Sequence, residues 1–153
     1  ATGRGVAIAV RECVSVEEDM RPLGLTVGLA GKRVIVQGLG NVGYHSAKYL
    51  AEFGAVIVGI CEFEGAIYNE AGLDVEEVFN HRKETGTLLG FKGAKKEFKH
   101  SGEGLEQECD ILVPAALENQ ITEDNIFRIK AKVIAEGANV INSFKNCIKI
   151  FRP

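Results

Sequence analysis

The residues best equipped for chemistry are Gly38-Leu39-Gly40-Asn41-Val42-Gly43, which follow the apolar run Arg33-Val34-Ile35-Val36-Gln37 and lead into a helix-forming stretch. Glycines at this spacing between a strand and a helix suit a diphosphate: Gly38 permits the tight turn, Gly40 lets backbone approach the pyrophosphate, and Gly43 lets helix and strand pack closely. The helix start then offers free N–H groups to the phosphates. A second apolar run, Ala55 to Cys61, delivers Glu62 about twenty residues beyond the last glycine, where a carboxylate can hold the ribose hydroxyls of an adenosine. The plainer reading of the same residues is a βαβ unit whose Glu62 is an ordinary solvated strand-end carboxylate.

The elements that must position these residues are legible in outline. Residues 5–20 place Val6, Val10, Cys13 and Val14 near one face, which suits an amphipathic helix ending before Pro22. Asn41 to Phe53 carries Val42, Ala47, Leu50 and Ala51 at helical spacing and stops at Gly54. Residues 64–72 read as a turn-rich connection. Asp74, three residues ahead of Glu77, reads as the cap of a helix over 75–84. Residues 92–107 read as surface loop with one short helical turn, leaving Lys95, Lys96 and Lys99 in solvent. Cys109 to Pro114 and Lys132 to Ala135 are further buried strands, with a helix between them starting near Thr122.

Strands alternating with helices predict an α/β fold, a Rossmann-like, doubly wound, mostly parallel sheet in three α/β/α layers. Ligands of such sheets bind beyond the carboxyl ends of the strands. The ends at 38–43, 114–116 and 136–139 are small or polar, so one crevice is expected along them, with the pyrophosphate at the first and the nicotinamide near the other two.

At 153 residues, with 46% hydrophobic and 25% charged side chains, the chain is one domain's worth of sequence. A net charge of -3 with both signs interspersed carries no footprint for nucleic acid or an acidic membrane. The apolar runs are far shorter than the roughly twenty residues a membrane helix needs. Cys13, Cys61, Cys109 and Cys147 are widely spaced and read as reduced thiols, without a metal-binding pattern, in a reducing compartment such as cytoplasm or mitochondrial matrix. His45, His81 and His100 read as isolated surface histidines.

Five ordered blocks, Ala1-Thr-Gly-Arg-Gly-Val6, Val36 to Gly43, Glu64-Gly-Ala-Ile-Tyr-Asn69, Cys109 to Ala116, and Ile134-Ala-Glu-Gly-Ala-Asn139, resemble the glutamate dehydrogenases in order and spacing over residues 1 to about 139. The resemblance implies a nucleotide domain that closes over a separate substrate domain. It implies that Thr2 and Asn139 border the nicotinamide, that the amides of Asn41 and Val42 face the pyrophosphate, and that Ala115 and Ala116 leave room beside the ribose and nicotinamide. Arg4 is read as a structural ion-pair partner. The reaction implied is oxidative deamination of L-glutamate to 2-oxoglutarate and ammonia by an oligomer, a hexamer by resemblance. A lysine and an aspartate of the substrate domain supply its acid–base groups, and no residue of 1–153 matches them, so no catalytic residue is assigned here. The chain is therefore expected to be one NAD(P)-binding domain, with a leading helix and linker over 1–30, excised from something longer.

Two features depart from the family pattern. Residues 140–153 form an atypical tail, either a substitute for the family's next strand or a foreign end. Phe63 stands where a small or polar residue is usual. Glu62 repels a 2′-phosphate and Glu64 adds a second negative charge, which favours NAD while leaving NADP open. Leucine, phenylalanine and valine dehydrogenases, and a truncated non-catalytic nucleotide-binding paralogue, are the alternatives.

Overall fold

The structure, a computed structural model, describes residues 2–117, 120–137 and the backbone of 148–150. Chain order begins with helices α1 (Thr2–Cys13) and α2 (Glu17–Met20), strand β1 (Arg33–Gln37), helix α3 (Asn41–Glu52), and strands β2 (Val56–Glu62) and β3 (Gly65–Tyr68). It continues with α4 (Val75–Thr85), β4 (Lys96–Phe98), α5 (Ser101–Leu105), β5 (Ile111–Pro114), β6 (Val133–Ala135) and β7 (Ile148–Ile150). The strands form a sheet in the order β4-β3-β2-β1-β5-β6-β7.

The centre of this sheet, β2-β1-β5-β6, is parallel, and β3, β4 and β7 extend it antiparallel at its two sides. Unbroken β-branched runs account for the centre: Val34, Ile35 and Val36 are all fully buried, as a strand covered on both faces requires. Their alternation divides the core. Val34 and Val36 pack with Val6, Val10, Ala47 and Leu50 beneath α1 and α3, whereas Ile35 packs with Val58, Leu105 and Leu112 on the opposite face. The result is three layers. Arg33 ties the amino ends of β1 and β5 together, its guanidinium 3.2 Å from Asp110 and its backbone N–H donating to the same carboxylate at 2.8 Å.

Helix α1 buries Gly3, Val6, Ala7 and Val10. Burying each valine is worth about 1.5–3 kcal/mol. Gly3 sets how closely α1 crosses α3, since a Cβ there would lie 2.6 Å from His45 Cβ and 2.7 Å from the Val42 carbonyl oxygen. The single helix expected over 5–20 is in fact two. Ser15 Oγ donates to the Glu12 carbonyl at 2.6 Å and Gly28 N–H donates to the Val14 carbonyl at 2.9 Å, so local and returning-loop bonds replace helical ones.

Three other expectations about connections change. Residues 64–72 are more than a turn: Phe63 and Glu64 are the two-residue loop of a hairpin that pairs Glu62 with Gly65, and β3 runs back along β2. The stretch 92–107 contributes β4 as well as the short helix α5, with Lys95, Lys96 and Lys99 exposed as expected. Near Thr122 the chain makes only a 3₁₀ turn, Ile126–Arg128, with the Thr122 N–H donating to the Asn125 side chain at 2.8 Å. The cap at Asp74 is as read, with Glu77 N–H donating to its carboxylate at 3.0 Å. Of the histidines, His81 is half-buried, bonded to the Leu89 carbonyl at 3.1 Å and set edge-on to Phe91.

Candidate dinucleotide-binding site

Beyond the carboxyl ends of β1, β2 and β5 lies a crevice of about 910 Å³. Its floor is the glycine turn. Gly38 has φ +99°, and a Cβ there would sit 2.9 Å from the Ala115 carbonyl oxygen, so both conformation and space demand glycine. Gly43 is tighter still: its Cβ would lie 1.8 Å from the Gly38 carbonyl oxygen, which is how α3 comes to rest on the turn. Gly40 differs from both. Its φ of -77° suits any residue and a Cβ would meet nothing within 4 Å, because that side opens onto the crevice.

Gly40 is also the cap of α3 and makes no side-chain capping bond. The first-turn N–H groups of α3 therefore remain available to a ligand at the positive end of the helix dipole. Asn41 and Val42, which open that turn, both line the crevice.

Glu62 ends β2 and reaches back over the turn, where its carboxylate accepts the Leu39 N–H at 2.6 Å and the Phe63 N–H at 3.2 Å. Arg82 of α4 stands 3.4 Å from the same carboxylate. Glu64 does not join Glu62 at the crevice. It accepts from Arg82 Nε at 2.7 Å and from Leu88 N–H at 3.2 Å, with its side chain only 12% exposed. Burial pushes the Glu64 carboxyl up, but the Arg82 hydrogen bond, backbone N–H bonds and the Arg82 charge outweigh it, and the net displacement is downward. The second negative charge expected from Glu64 is thus matched by Arg82.

Of the residues singled out in the sequence, Gly38, Gly40, Asn41, Val42, Glu62, Phe63, Ala115 and Ala116 line this one crevice. Gly43 supports it from below. Thr2 is exposed at the start of α1 and is not among the lining residues, although α1 packs beside Val42 through Gly3. Asn139 lies outside the described residues. A Cβ on Gly137 would meet Val6, Val42 and Ala115 at 3.2 to 3.5 Å, so this end of the crevice is walled by small groups.

Sequence reasoning missed Gln37, Ser101, Leu117 and Gln120 as lining residues, and Arg82 as the partner of Glu62, whereas Gly137 falls in the strand end 136–139 expected to line the crevice. Gln37 was within reach: period-two alternation puts it on the Ile35 face, and it directly precedes the turn. Leu117 directly follows the expected Ala115-Ala116, whereas Ser101, Gln120 and Arg82 come from segments with no local signature. Among the described residues no group of three or more His, Cys, Asp or Glu side chains could hold a metal ion, and no helix is long and apolar enough to cross a membrane.

A family model described as glutamate/leucine/phenylalanine/valine dehydrogenase matches residues 1–152. The chain is 47% identical over 139 residues to a glutamate dehydrogenase of Aeropyrum pernix, covering 91% of this chain and 31% of that protein. It is 44% identical over 139 residues to a mitochondrial glutamate dehydrogenase of Dictyostelium discoideum, covering 91% and 28%. Relatives at 40% and 39% identity are named as an NADP-specific enzyme of Saccharolobus shibatae and an NAD-specific enzyme of Bacillus subtilis. A hetero-hexameric glutamate dehydrogenase of Thermus thermophilus superposes with a TM-score of 0.68 at 31% identity, covering 91% of this chain and 31% of that one. The chain spans about three-tenths of the length of the curated relatives it matches.

Proposed function

The chain belongs to the glutamate/leucine/phenylalanine/valine dehydrogenase family, and on that premise we propose that it is the coenzyme-binding portion of an NAD-dependent glutamate dehydrogenase. One observation carries this reading: the uncapped first turn of α3, seated on Gly38 through Gly43, opens into the same crevice as the Glu62 carboxylate. The residues fit a nicotinamide dinucleotide. Amides of the α3 first turn would hold its diphosphate, Glu62 its adenosine ribose, and the small groups at Ala115 and Gly137 would leave room for its nicotinamide.

When bound, the nicotinamide supplies the hydride acceptor for the Cα of L-glutamate in oxidative deamination. The work of this chain is to bind, orient and exclude water. Seating the coenzyme on fixed dipoles holds one ring face in register with the substrate, which lowers the barrier by prepaid orientation. Proton transfer belongs to residues beyond this chain, in a separate substrate domain, and the assembled enzyme is an oligomer of cytoplasm or mitochondrial matrix.

The preference for NAD rests on Glu62. It accepts hydrogen bonds and cannot donate, so it suits free ribose hydroxyls and repels a phosphate. Arg82 is shared by two carboxylates and leaves the cluster net negative.

Titration of the chain with NADH, read by nucleotide fluorescence, tests the proposal. Binding should be tighter for NADH than NADPH, and Gly40→Val should abolish it while the melting temperature holds. Equal binding by Gly40→Val would overturn the assignment of the turn.

A further inference from the structure

Between the last paired residue of β1 and the first turn of α3 lie Gly38, Leu39 and Gly40, and what holds the amides of this bend decides where the helix points. The ladder between β1 and β2 ends with Gln37 opposite Cys61, and one more strand-like bond follows it, from the Gly38 N–H to the Cys61 carbonyl at 2.7 Å. The positive φ of Gly38 then turns the chain away. The next amide along meets a side chain instead of a strand: the Leu39 N–H donates to Glu62 Oε1 at 2.6 Å. Leu39 is only 2% exposed, and an amide at that depth without an acceptor is strongly unfavourable.

Glu62 is engaged with protein before any ligand arrives. The Phe63 N–H donates to its Oε2 at 3.2 Å, Arg82 Nη2 stands 3.4 Å from the same oxygen, and the side chain is 12% exposed. A carboxylate has about four lone-pair directions, so with these three donors in place about one is left for a ribose hydroxyl. Most of its bonding capacity is thus spent on the turn and on what surrounds it.

Building on the coenzyme reading above, we propose that Glu62 is a positioning residue for the diphosphate as well as a contact of the ribose: by holding the Leu39 amide it fixes the bend that aims the first-turn amides of α3 into the crevice. Only Gly40 separates Leu39 from Asn41, the first residue of that turn. With a glycine on either side of Leu39 the bend has many backbone forms open to it, and the Leu39 bond selects one. Glu62 therefore raises affinity for the diphosphate even when the ribose has no hydroxyl to offer. Without that bond the turn spreads over several forms, and apparent affinity falls by the fraction that stays competent.

The test is a fluorescence titration of the chain, well below its melting temperature, in wild type, Glu62→Ala and Glu62→Gln, with circular dichroism checking the fold of each. The ligands are NADH and the reduced dinucleotide whose adenosine ribose lacks its 2′- and 3′-hydroxyls. Wild type should bind this dideoxy analogue about tenfold more weakly than NADH. Glu62→Ala should weaken the analogue about tenfold further, although no hydroxyl is there for the carboxylate to hold. Glu62→Gln, whose amide oxygen can accept the Leu39 N–H, should bind the analogue within about threefold of wild type. Hydrogen exchange of the ligand-free wild type needs no substitution: the Leu39 amide should exchange at least about tenfold more slowly than those of Asn41 and Val42, which have no helical partner. Equal affinity of wild type and Glu62→Ala for the analogue, no binding of the analogue by wild type, no recovery in Glu62→Gln, or an unprotected Leu39 amide overturns the positioning role and leaves the coenzyme reading standing, with Glu62 a ribose contact alone. Failure of wild type to bind NADH overturns both.

Discussion

Replacing Gly43 by alanine sets two effects of opposite sign against each other. Gly43 is the third residue of α3, and in a helix alanine is favoured over glycine by about 1 kcal/mol. If helix propensity decided the outcome, the variant would gain stability. The structure places the new methyl carbon 1.8 Å from the Gly38 carbonyl oxygen and 2.5 Å from its carbonyl carbon, where ordinary contact begins at 3.4 Å. Both obstructing atoms are backbone, so no rotamer change relieves them, and α3 must lift from the turn by about 1.6 Å, the difference between 3.4 and 1.8 Å. Overpacking of this severity costs about 3 kcal/mol, the upper part of its usual range. The net expectation is a loss of about 2 kcal/mol, a fall in melting temperature of roughly 4–8 °C for a chain of this size. Gly40→Ala is the matched control: its Cβ meets nothing within 4 Å at φ -77°, so its melting temperature should stay within about 1 °C of wild type while NADH affinity falls. Thermal unfolding by circular dichroism with a parallel NADH titration separates the two. A Gly43→Ala protein as stable as wild type, or more so, would refute the close seating of α3 on the turn.

Removing the α4 cap with Asp74→Ala should cost about 1 kcal/mol and lower the melting temperature by roughly 2–4 °C, because the Glu77 N–H loses its acceptor. The Glu64 carboxyl, held below its ordinary 4.5 in the folded state, contributes stability that is present above that value and is lost as pH falls through the folded pKa. Glu64→Gln should therefore melt lower than wild type at pH 7, and the two should converge as pH drops below about 4.5; a difference that persisted at low pH would assign the effect to packing instead. Burial pushes the Cys61 thiol well up and the Cys109 thiol up to about 12 from an ordinary 9.0, so these thiols ionise in the unfolded chain first and stability falls as pH rises above 9.0. At pH 10 each should cost about 1.4 kcal/mol, visible as a steeper alkaline loss in urea unfolding of wild type than of Cys61→Ala under reducing conditions.

The parts of this fold written in contiguous residues were the parts legible in the sequence. Gly38, Gly40 and Gly43 carry three different constraints, a positive φ, an open approach and a helix contact, and each is a property of a short stretch read in place. The same holds for the buried runs of β1 and β2 and for the Asp74 cap. What escaped was decided across the sheet. Residues 65–68 look like turn because Gly65 and the short run after it carry little strand signal alone, yet the hairpin at Phe63 and Glu64 pairs them with β2. The charge around Glu62 escaped for the same reason. Glu62 and Glu64 are two residues apart in sequence and were read as two negative charges facing one ligand, but a hairpin turn separates them, and α4 brings Arg82 between them from about twenty residues away. Local reading thus places the glycine turn and the first carboxylate. Tertiary packing decides how much net charge a 2′-phosphate would meet, so coenzyme preference in this chain should respond to Arg82 as well as to Glu62. Arg82→Ala leaves two carboxylates unmatched and should widen the preference for NADH over NADPH; an unchanged ratio in parallel titrations would show that Arg82 serves only to anchor α4.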